Sequence, residues 1–522
     1  MESRERHLAR NTLVVGASFG LAAVAGLWRN MVIARQFGIG GELDIYYAAF
    51  KLPELLFMIV AGGALATALI PVLSDYLARE DKEAFWRLAS ATINIVGMVI
   101  MVLALIAGLL APTLVRYIIA PGFTPQAQAE TARAMRLVLV STLIFGVSAV
   151  QTSVLHSAKH FFLPALAPTV YPLGIVIGAL FLAPRWGIHG LAAGAILGAL
   201  LHWAVQLPGL IHHGLRWWPV LSTPDGTLRR VLTLMGPRVL DVGVFQLTLL
   251  VTANLASRLE PGSLSALEWG WGFMQLPETV IGTAFGLVAL PTLADLAARQ
   301  DFEALRRTMG DTLRAILGLT IPATAGLILL GRPLLQVLYQ RGAFDAGATE
   351  AVFVAVRFYA LGLVGHACLE IAARAFFAQQ DTLTPLLVAA ATGAVNLLLG
   401  VLLMRPLGHG GLALANTVAV SAEVLVLLAI VSRRWGGIEG RETLRGLGRI
   451  ALATLAMVIV VVAMLFMAER ARLGALWLVT LGAGAGGLIY LLVGWRLRLT
   501  AVLWPLRALK QRTPDPSAVM VP

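Results

Sequence analysis

Fourteen apolar runs follow one another along this chain with only short connections between them. The runs start near residues 12, 43, 89, 134, 161, 188, 231, 265, 311, 352, 385, 410, 447 and 474. A helix needs about 20 apolar residues to cross the hydrocarbon core of a bilayer. The pattern therefore predicts an all-α integral membrane protein with about 14 transmembrane helices. No connection is long enough to fold as a soluble catalytic domain.

The composition excludes several other classes of protein. Of the 522 residues, 58% are hydrophobic and 13% are charged, whereas soluble domains are nearer half apolar and one quarter charged. The net charge of +12 comes from basic residues in the short connections, so membrane topology explains it and no nucleic-acid partner is expected. The single cysteine, Cys368, allows no intrachain disulfide and no cysteine-based metal site. The basic, then apolar N-terminus is expected to be a retained first helix.

The distribution of Lys and Arg predicts the orientation in the membrane. An even number of helices places both termini on the same side, and the connections on that side carry 24 Lys and Arg residues, against 11 on the other. Cytoplasmic connections are the ones rich in Lys and Arg. We therefore expect a multi-pass membrane protein with both termini in the cytoplasm.

The chain also contains an internal repeat. The segment "LPELLFMIVAGGALATALIPVLSDYLARED" resembles "LPETVIGTAFGLVALPTLADLAARQD". Three residue pairs share an offset of 220 or 221: Pro71 with Pro291, Pro164 with Pro385, and Gly187 with Gly408. Six helices separate the copies, which predicts two parallel repeats, pseudo-symmetric about an axis along the membrane normal. The predicted division is an N-terminal lobe (1–215), a C-terminal lobe (216–435), two additional helices (436–500) and a cytoplasmic tail (501–522).

A Leu-Pro-Glu motif occurs inside helix 2 and again inside helix 8. Pro53 and Pro277 each remove a backbone donor and are expected to kink their helices. Glu54 and Glu278 follow at matching depth, which indicates a polar cavity between the lobes. In the alternative interpretation, the kinks serve packing and the glutamates pair with nearby donors.

Charged residues inside helices 1 and 2 are candidates for a polar interior. Arg29, in "AVAGLWRNMVIARQFG", would cost about 2.5–3.5 kcal/mol at the bilayer centre. Arg35 is expected to reach the membrane surface instead. Lys51 is the second candidate cation for the substrate. In the alternative interpretation, Lys51 forms a salt bridge with Glu54 or Asp44. Asp44 is expected to stabilise the helix dipole at the start of helix 2.

Several catalytic classes lack their motifs. No H-E-x-x-H or other metal-binding spacing occurs among five scattered histidines of the chain, His156, His160, His202, His212 and His213. There is no phosphate-binding loop for ATP hydrolysis and no G-x-S-x-G motif. A membrane glycosyltransferase or ligase would need an acidic catalytic cluster or a large outer loop, and the sequence has neither. The chain is therefore predicted not to be an enzyme.

The segments "RNMVIARQFGIGGELDIYYAAFKLPELL", "PVLSDY" and "FFAQQDTLTP" resemble the MurJ (MviN) lipid II flippases of the multidrug/oligosaccharidyl-lipid/polysaccharide exporter superfamily. The resemblance implies alternating access that moves lipid II, a polyprenyl-diphosphate-linked peptidoglycan precursor, from the inner to the outer leaflet of the bacterial cytoplasmic membrane. It implies no cofactor and coupling to the membrane potential or to a sodium or proton gradient. The implied partners are the lipid-linked precursor, membrane lipids and cell-wall synthesis proteins.

The chain departs from this family at several cavity positions. Asn30 stands where the family usually has an aspartate, Phe57 and Met58 where it has basic residues, and Gln275 where it has an acid. Of the family's cationic cavity residues only Arg29 carries over, and a guanidinium suits a lipid diphosphate because it donates bidentate hydrogen bonds. The predicted substrate-binding residues are Arg29, Asn30, Lys51, Glu54, Gln275 and Glu278.

The resemblance also implies a cation site in the second lobe. Asp241 in helix 7, with Thr392 and Asn396 in helix 11, would supply hard oxygen ligands of the kind that sodium takes. The alternative is that these are isolated polar residues packed against small ones. The departures leave two alternative functions open: export of another lipid-linked oligosaccharide or an amphipathic drug, and a transport-inactive membrane scaffold.

Overall fold

The computed structural model describes the backbone of residues 2–223 and 226–502, with all side chains in that range except 2–17, 19, 64, 234, 236–241 and 244. Its long helices are α1 (Glu2–Phe37), α2 (Gly41–Ala78), α3 (Lys82–Leu109), α4 (Pro125–Ser157), α5 (Phe162–Trp186), α6 (Ile188–His212), α7 (Thr227–Ala256), α8 (Ser263–Ala298), α9 (Phe302–Tyr339), α10 (Ala346–Phe377), α11 (Leu383–Leu407), α12 (His409–Trp435), α13 (Gly440–Arg470) and α14 (Ala475–Arg496). A short helical segment, Ala111–Leu114, continues as a π-helical turn before α4.

The helices confirm the all-α membrane class. Within the described residues, twelve helices, α2–α6 and α8–α14, are long and apolar enough to cross a membrane. The other two predicted spans coincide with α1 and α7, which are 36 and 30 residues long. Their placement in the membrane stays a prediction, as does the exact number of fourteen spans. The predicted tail lies outside the described residues from 503 onwards.

The two copies of the repeat have the same local geometry. At the end of α2, Arg79 Nη2 lies 2.8 Å from Asp75 Oδ2, and at the end of α8, Arg299 Nη2 lies 3.0 Å from Asp295 Oδ2. Each helix is followed by a residue with positive φ and then by an aspartate that caps the next helix. The equivalent glycines before α6 and α12 adopt φ of 54° and 57°. The repeated sequence therefore specifies repeated local structure.

Contacts divide the chain into two compact units. The first comprises Met1–Ser265 with Arg341–Asp345, and the second comprises Ala266–Gln340 with Ala346–Pro522. The predicted lobe boundaries follow the sequence repeat rather than contacts, and they stay a prediction. Each unit has its own apolar core of fully buried side chains. These include Leu69, Phe85, Val150 and Val231 in the first unit, and Leu293, Ile316, Ile371 and Leu427 in the second.

Glycines allow α5 and α6 to pack backbone against backbone. A Cβ atom added at Gly174 would lie 2.1 Å from the backbone nitrogen of Gly198, and one at Gly194 would lie 2.7 Å from Cα of Gly178. Without a hydrophobic driving force between membrane helices, this close approach is a main source of their association. The sequence "GLAAGAILGALL" in α6 supplies the small residues at helical spacing.

The Gly194→Ala substitution is therefore expected to destabilise the protein by about 1–3 kcal/mol, because the new methyl group has to push two backbones apart. Gly326→Ala in α9 is the matched control, since nothing lies within 4 Å of a Cβ atom built there. Thermal unfolding in detergent should show a lower Tm for Gly194→Ala only. Equal Tm values for the two variants would contradict the close packing.

Candidate functional site

Arg29 lies in α1, partly buried, and presents a guanidinium whose charge has no neighbouring countercharge on its own helix. Its Nε and Nη2 donate to Oδ1 of Asn30 at 3.0 and 2.9 Å. These are its hydrogen bonds within the described part of the chain, so three of its five N–H donors remain for a ligand. Because an amide oxygen is neutral, Asn30 orients the guanidinium and leaves its positive charge in place.

Aromatic side chains surround this part of the first unit. The charge of Arg29 acts on the phenols of Tyr46 in α2 and Tyr171 in α5, and the charge of Glu54 also acts on Tyr171. The ring of Phe145, in α4, lies 4.9 Å from that of Tyr171. The structure thus brings the predicted Arg29 and Glu54 near Tyr171. Tyr171 was not predicted, because a single tyrosine in an apolar helix carries no pattern.

The remaining predicted site residues in α2 differ in exposure. The Lys51 side chain is 7% exposed, whereas Glu54 is exposed. Both take part in interactions with neighbouring residues. The interruption of α2 falls at Gly62, where the backbone leaves the helical conformation, and Pro53 lies inside the helical segment Gly41–Ala61. The kink expected at Pro53 stays a prediction, and the break at Gly62 is a separate feature of α2.

Asp44 caps another helix as well as lying in the first turn of α2. The residue is 2% exposed, and its carboxylate accepts hydrogen bonds from the backbone N–H groups of Gly262 and Ser265, both at 2.7 Å. These N–H groups lie at the start of α8, where helices leave donors without a partner and favour a negative charge. The sequence predicted a helix-dipole role for Asp44 in its own helix, and the structure adds this second one.

A backbone contact closes one end of the first unit. The N–H of Ala343 donates to the carbonyl of Arg35 at 2.9 Å. Gly38 and Gly342 have φ of 62° and 63°, and a Cβ atom at either would lie within 2.4 Å of a carbonyl oxygen across the contact. We call residues 35–38 with 341–343 the α1 latch. Only glycine fits both the left-handed backbone and the close approach.

In the second unit, Glu278 belongs to a polar cluster between α8 and α10. Arg374 forms an ion pair with the carboxylate of Glu370 and donates to its backbone carbonyl at 2.7 Å. The charges of both side chains act on the carboxylate of Glu278. A second carboxylate, that of Glu278, thus lies near the ion pair of Glu370 with Arg374. A π-helical turn, Thr279–Thr283, directly follows Pro277 and Glu278, and π-helical turns are frequent at functional sites.

Gln275 stands apart from this cluster. Its side chain is exposed on α8, and within the described residues it makes no hydrogen bond. The predicted role of Gln275 in binding substrate stays a prediction.

The structure places an additional carboxylate at the predicted cation site. The Thr392 hydroxyl lies 3.2 Å from Oε2 of Glu423 in α12, and Asn396, one turn farther along α11, is 9% exposed. The side chain of Asp241 lies outside the described residues. Glu423 was not predicted, although it is a lone acid in the apolar run "NTVAVSAEVLVLLAI". No cluster of three or more His, Cys, Asp or Glu residues suited to a metal occurs in the part of the chain that is described.

His160 meets the consecutive histidines His212 and His213 at the end of α6. The ring of His213 lies 5.8 Å from that of His160 and 5.4 Å from that of His212. Burial, and then the charge of His212, lowers the pKa of His160. His213 thus joins the other two rings in one aromatic cluster.

The comparisons with known proteins agree on one family. The family model described as "Lipid II flippase MurJ" matches residues 33–480. The "Lipid II flippase MurJ" of Burkholderia cenocepacia is 31% identical over 438 residues, which cover 82% of this chain and 84% of that protein. The "Probable lipid II flippase MurJ" of Rhizobium tropici is 29% identical over 435 residues, which cover 82% and 81%.

Solved structures show the same fold. "Lipid II flippase MurJ, inward closed conformation" superposes with a TM-score of 0.78 and 24% identity, covering 95% of this chain and 100% of the other. An inward-facing multidrug resistance MATE family transporter of the MOP superfamily superposes with a TM-score of 0.65 and 14% identity, covering 81% and 95%. The matched proteins are transporters rather than enzymes, as the sequence predicts. From the family model and the curated relatives together, this chain is a member of the lipid II flippase MurJ family.

Proposed function

We propose that this protein translocates lipid II from the inner to the outer leaflet of the bacterial cytoplasmic membrane. The observation that carries the proposal is the family match over residues 33–480, which spans both copies of the repeat. Arg29 supports it, because a cation with three unused donors suits the diphosphate that links the lipid to its sugars. The excess of Lys and Arg in the connections that face the same side as the termini supports a cytoplasmic location for both ends.

The proposed mechanism is alternating access. The α1 latch lies at the end of α1 opposite the N-terminus, which is the outer side in the proposed orientation. When the latch is closed, a backbone hydrogen bond of 2.9 Å and two close contacts at glycines hold this end of α1 in place. Substrate would bind near Arg29 while the latch is closed, and release to the outer leaflet would need the latch to open. At that step the diphosphate would leave Arg29 and become hydrated by water.

We further propose that a cation binds beside Glu423. The carboxylate of Glu423, the hydroxyl of Thr392 and the amide oxygen of Asn396 are the hard oxygen ligands that sodium takes. Occupation of this site would couple transport to a cation gradient. No cofactor is needed for the proposed transport.

Sodium is therefore expected to raise the Tm of the purified protein relative to choline at equal ionic strength, because a bound ion stabilises the folded state. Glu423→Gln should abolish that increase. Glu469→Gln, which alters an exposed carboxylate at the end of α13, should retain it. A sodium-dependent Tm increase that persists in Glu423→Gln would contradict the proposed site.

The function itself is tested by complementation. The chain is expressed in a bacterium whose own lipid II flippase can be depleted, and growth and outer-leaflet lipid II are measured. Restored growth together with restored lipid II exposure is the expected result. Normal membrane expression without restored exposure would overturn the proposal.

A second candidate function is export of another lipid-linked oligosaccharide. It is favoured by one observation: Phe57 and Met58 stand where the family has basic residues, so fewer cations are available for a diphosphate. A chain that fails to restore lipid II exposure and instead exports a different lipid-linked glycan would favour this candidate. Failure to move either lipid would favour a transport-inactive scaffold.

A further inference from the structure

A cavity of about 340 Å³ lies in the second unit, between α9, α13 and the turn that follows α14. It is separate from every predicted transport residue described above. Its charged lining consists of Arg314, Arg445, Arg449, Arg498, Asp311 and Glu442. We call it the basic cavity.

Local structure fixes this arrangement. Arg445 and Arg449 are four residues apart in α13 and therefore share one face of the helix. After α14, Arg498 adopts φ of 56°, and the N–H of Leu499 donates to the carbonyl of Gly494 at 2.9 Å. This turn directs the chain back over α9, where a Cβ atom at Gly318 would lie only 2.6 Å from the Ala501 methyl group. The basic residues of three separate segments thus converge.

The acidic residues near the basic cavity all form ion pairs with one arginine, Arg314. The Arg314 side chain is 13% exposed, and its Nη2 lies 2.9 Å from Asp311 and 2.8 Å from Glu439. Its Nη1 lies 3.8 Å from Glu442. Arg314 is accordingly the cation that these carboxylates neutralise.

The other three arginines are exposed and have no such partner. Within the described residues, Arg445, Arg449 and Arg498 make no ion pair and no hydrogen bond through their guanidinium groups. Like charges around one cavity repel each other, and a bound anion removes that repulsion. Planar guanidinium groups favour phosphate, which accepts bidentate hydrogen bonds.

The position along α13 places the basic cavity at the depth of lipid headgroups. Arg449 and Arg470 are 21 residues apart in this helix, which corresponds to about 31 Å at 1.5 Å per residue. That length matches the hydrocarbon core of a bilayer, about 30 Å. If Arg470 lies at one membrane surface, Arg449 therefore lies at the other.

An apolar surface continues from the basic cavity towards the membrane interior. Its floor contains the buried side chains of Ile450 and Leu499. Beyond it, α13 and α14 expose large apolar side chains: Leu452, Leu455, Ile459, Leu488, Leu491 and Leu492. A ligand that combines an anionic head with acyl chains would contact both surfaces, whereas a free anion would use only the first.

We propose that the basic cavity binds the phosphate headgroup of an anionic membrane lipid. Arg445, Arg449 and Arg498 contact the phosphate, and the acyl chains lie along α13 and α14. The bound lipid anchors these two helices against α9. A lipid with two phosphates binds more tightly than one with a single phosphate, because three guanidinium groups are available.

The test uses the purified full-length protein, delipidated in detergent and titrated with cardiolipin, phosphatidylglycerol or phosphatidylcholine, with binding read by native mass spectrometry. The double variant Arg445→Ala with Arg449→Ala is expected to raise the Kd for cardiolipin about tenfold or more. Arg498→Ala provides an independent single variant that should weaken binding in the same direction. The matched control is Arg441→Ala with Arg496→Ala, which removes two exposed arginines near the same end of α13 and α14, outside the cavity lining.

The expected order of affinity is cardiolipin, then phosphatidylglycerol, then phosphatidylcholine, with the control variant close to the unmodified protein. Equal weakening in the two double variants would overturn the proposal, because it would indicate attraction to net charge alone. Millimolar sodium pyrophosphate provides the second arm of the test. If pyrophosphate displaces cardiolipin and binds as tightly by itself, the lipid assignment is wrong and the cavity takes a free phosphate anion.

Discussion

Replacing Arg29 by alanine is expected to reduce lipid II translocation by about tenfold to a hundredfold. A hydrogen bond to a charged group contributes about 1.5–3 kcal/mol, and Arg29 has three unused donors for the diphosphate. The measurement is the amount of lipid II exposed on the outer leaflet in the complemented, flippase-depleted strain. Because Asn30 is neutral, no carboxylate on the neighbouring position would be left without its partner, so the substitution removes a substrate contact rather than an ion pair.

Two matched variants show whether the effect belongs to the site. Arg35→Ala removes the same charge from the exposed end of α1, while its backbone carbonyl still accepts from Ala343. It should retain translocation. Arg29→Lys keeps the positive charge and loses the bidentate geometry, so an intermediate rate is expected. Full activity in Arg29→Ala, with equal expression, would remove Arg29 from the site and leave the proposed function intact.

Replacing Asp44 by alanine is expected to destabilise the protein by about 3 kcal/mol or more. The buried carboxylate accepts two short hydrogen bonds from the start of α8, and its loss leaves both N–H groups without an acceptor. The measurement is Tm by thermal unfolding, together with the yield of folded protein. Glu42→Gln changes an exposed acid at the same end of α2 and should leave Tm nearly unchanged.

Asp44→Asn separates the two contributions of this side chain. The amide keeps one acceptor oxygen and loses the charge, so its Tm should lie between those of Asp44→Ala and the unmodified protein. A Tm for Asp44→Ala equal to that of the unmodified protein would show that the hydrogen bonds to Gly262 and Ser265 contribute nothing to stability.

The repeat shows what local sequence can specify. The Asp75–Arg79 pair and its counterpart Asp295–Arg299 lie four residues apart, so their contacts follow from helical spacing. The ion pair between Glu370 and Arg374 is of the same kind. Such features are readable from the sequence because every participating residue lies within one helical turn.

Tertiary contacts decided the features that the sequence did not indicate. Thr392 and Glu423 are 31 residues apart in the chain, and only the packing of α11 against α12 brings them together. Arg445 and Arg498 line one cavity because the turn after α14 returns over α9. The break in α2 at Gly62 was likewise not indicated by the sequence pattern.

The sequence by itself determined the membrane class, the helix positions and the repeated local structure. Those properties depend on the length and hydrophobicity of each segment, which the bilayer alone selects. Only the tertiary structure decided that Asp44 caps α8, that Tyr171 lies near Arg29 and that Glu423 joins Thr392. Each of these depends on how a helix is rotated about its axis and which neighbour it packs against. Apolar runs that are hydrophobic on every face do not encode that rotation.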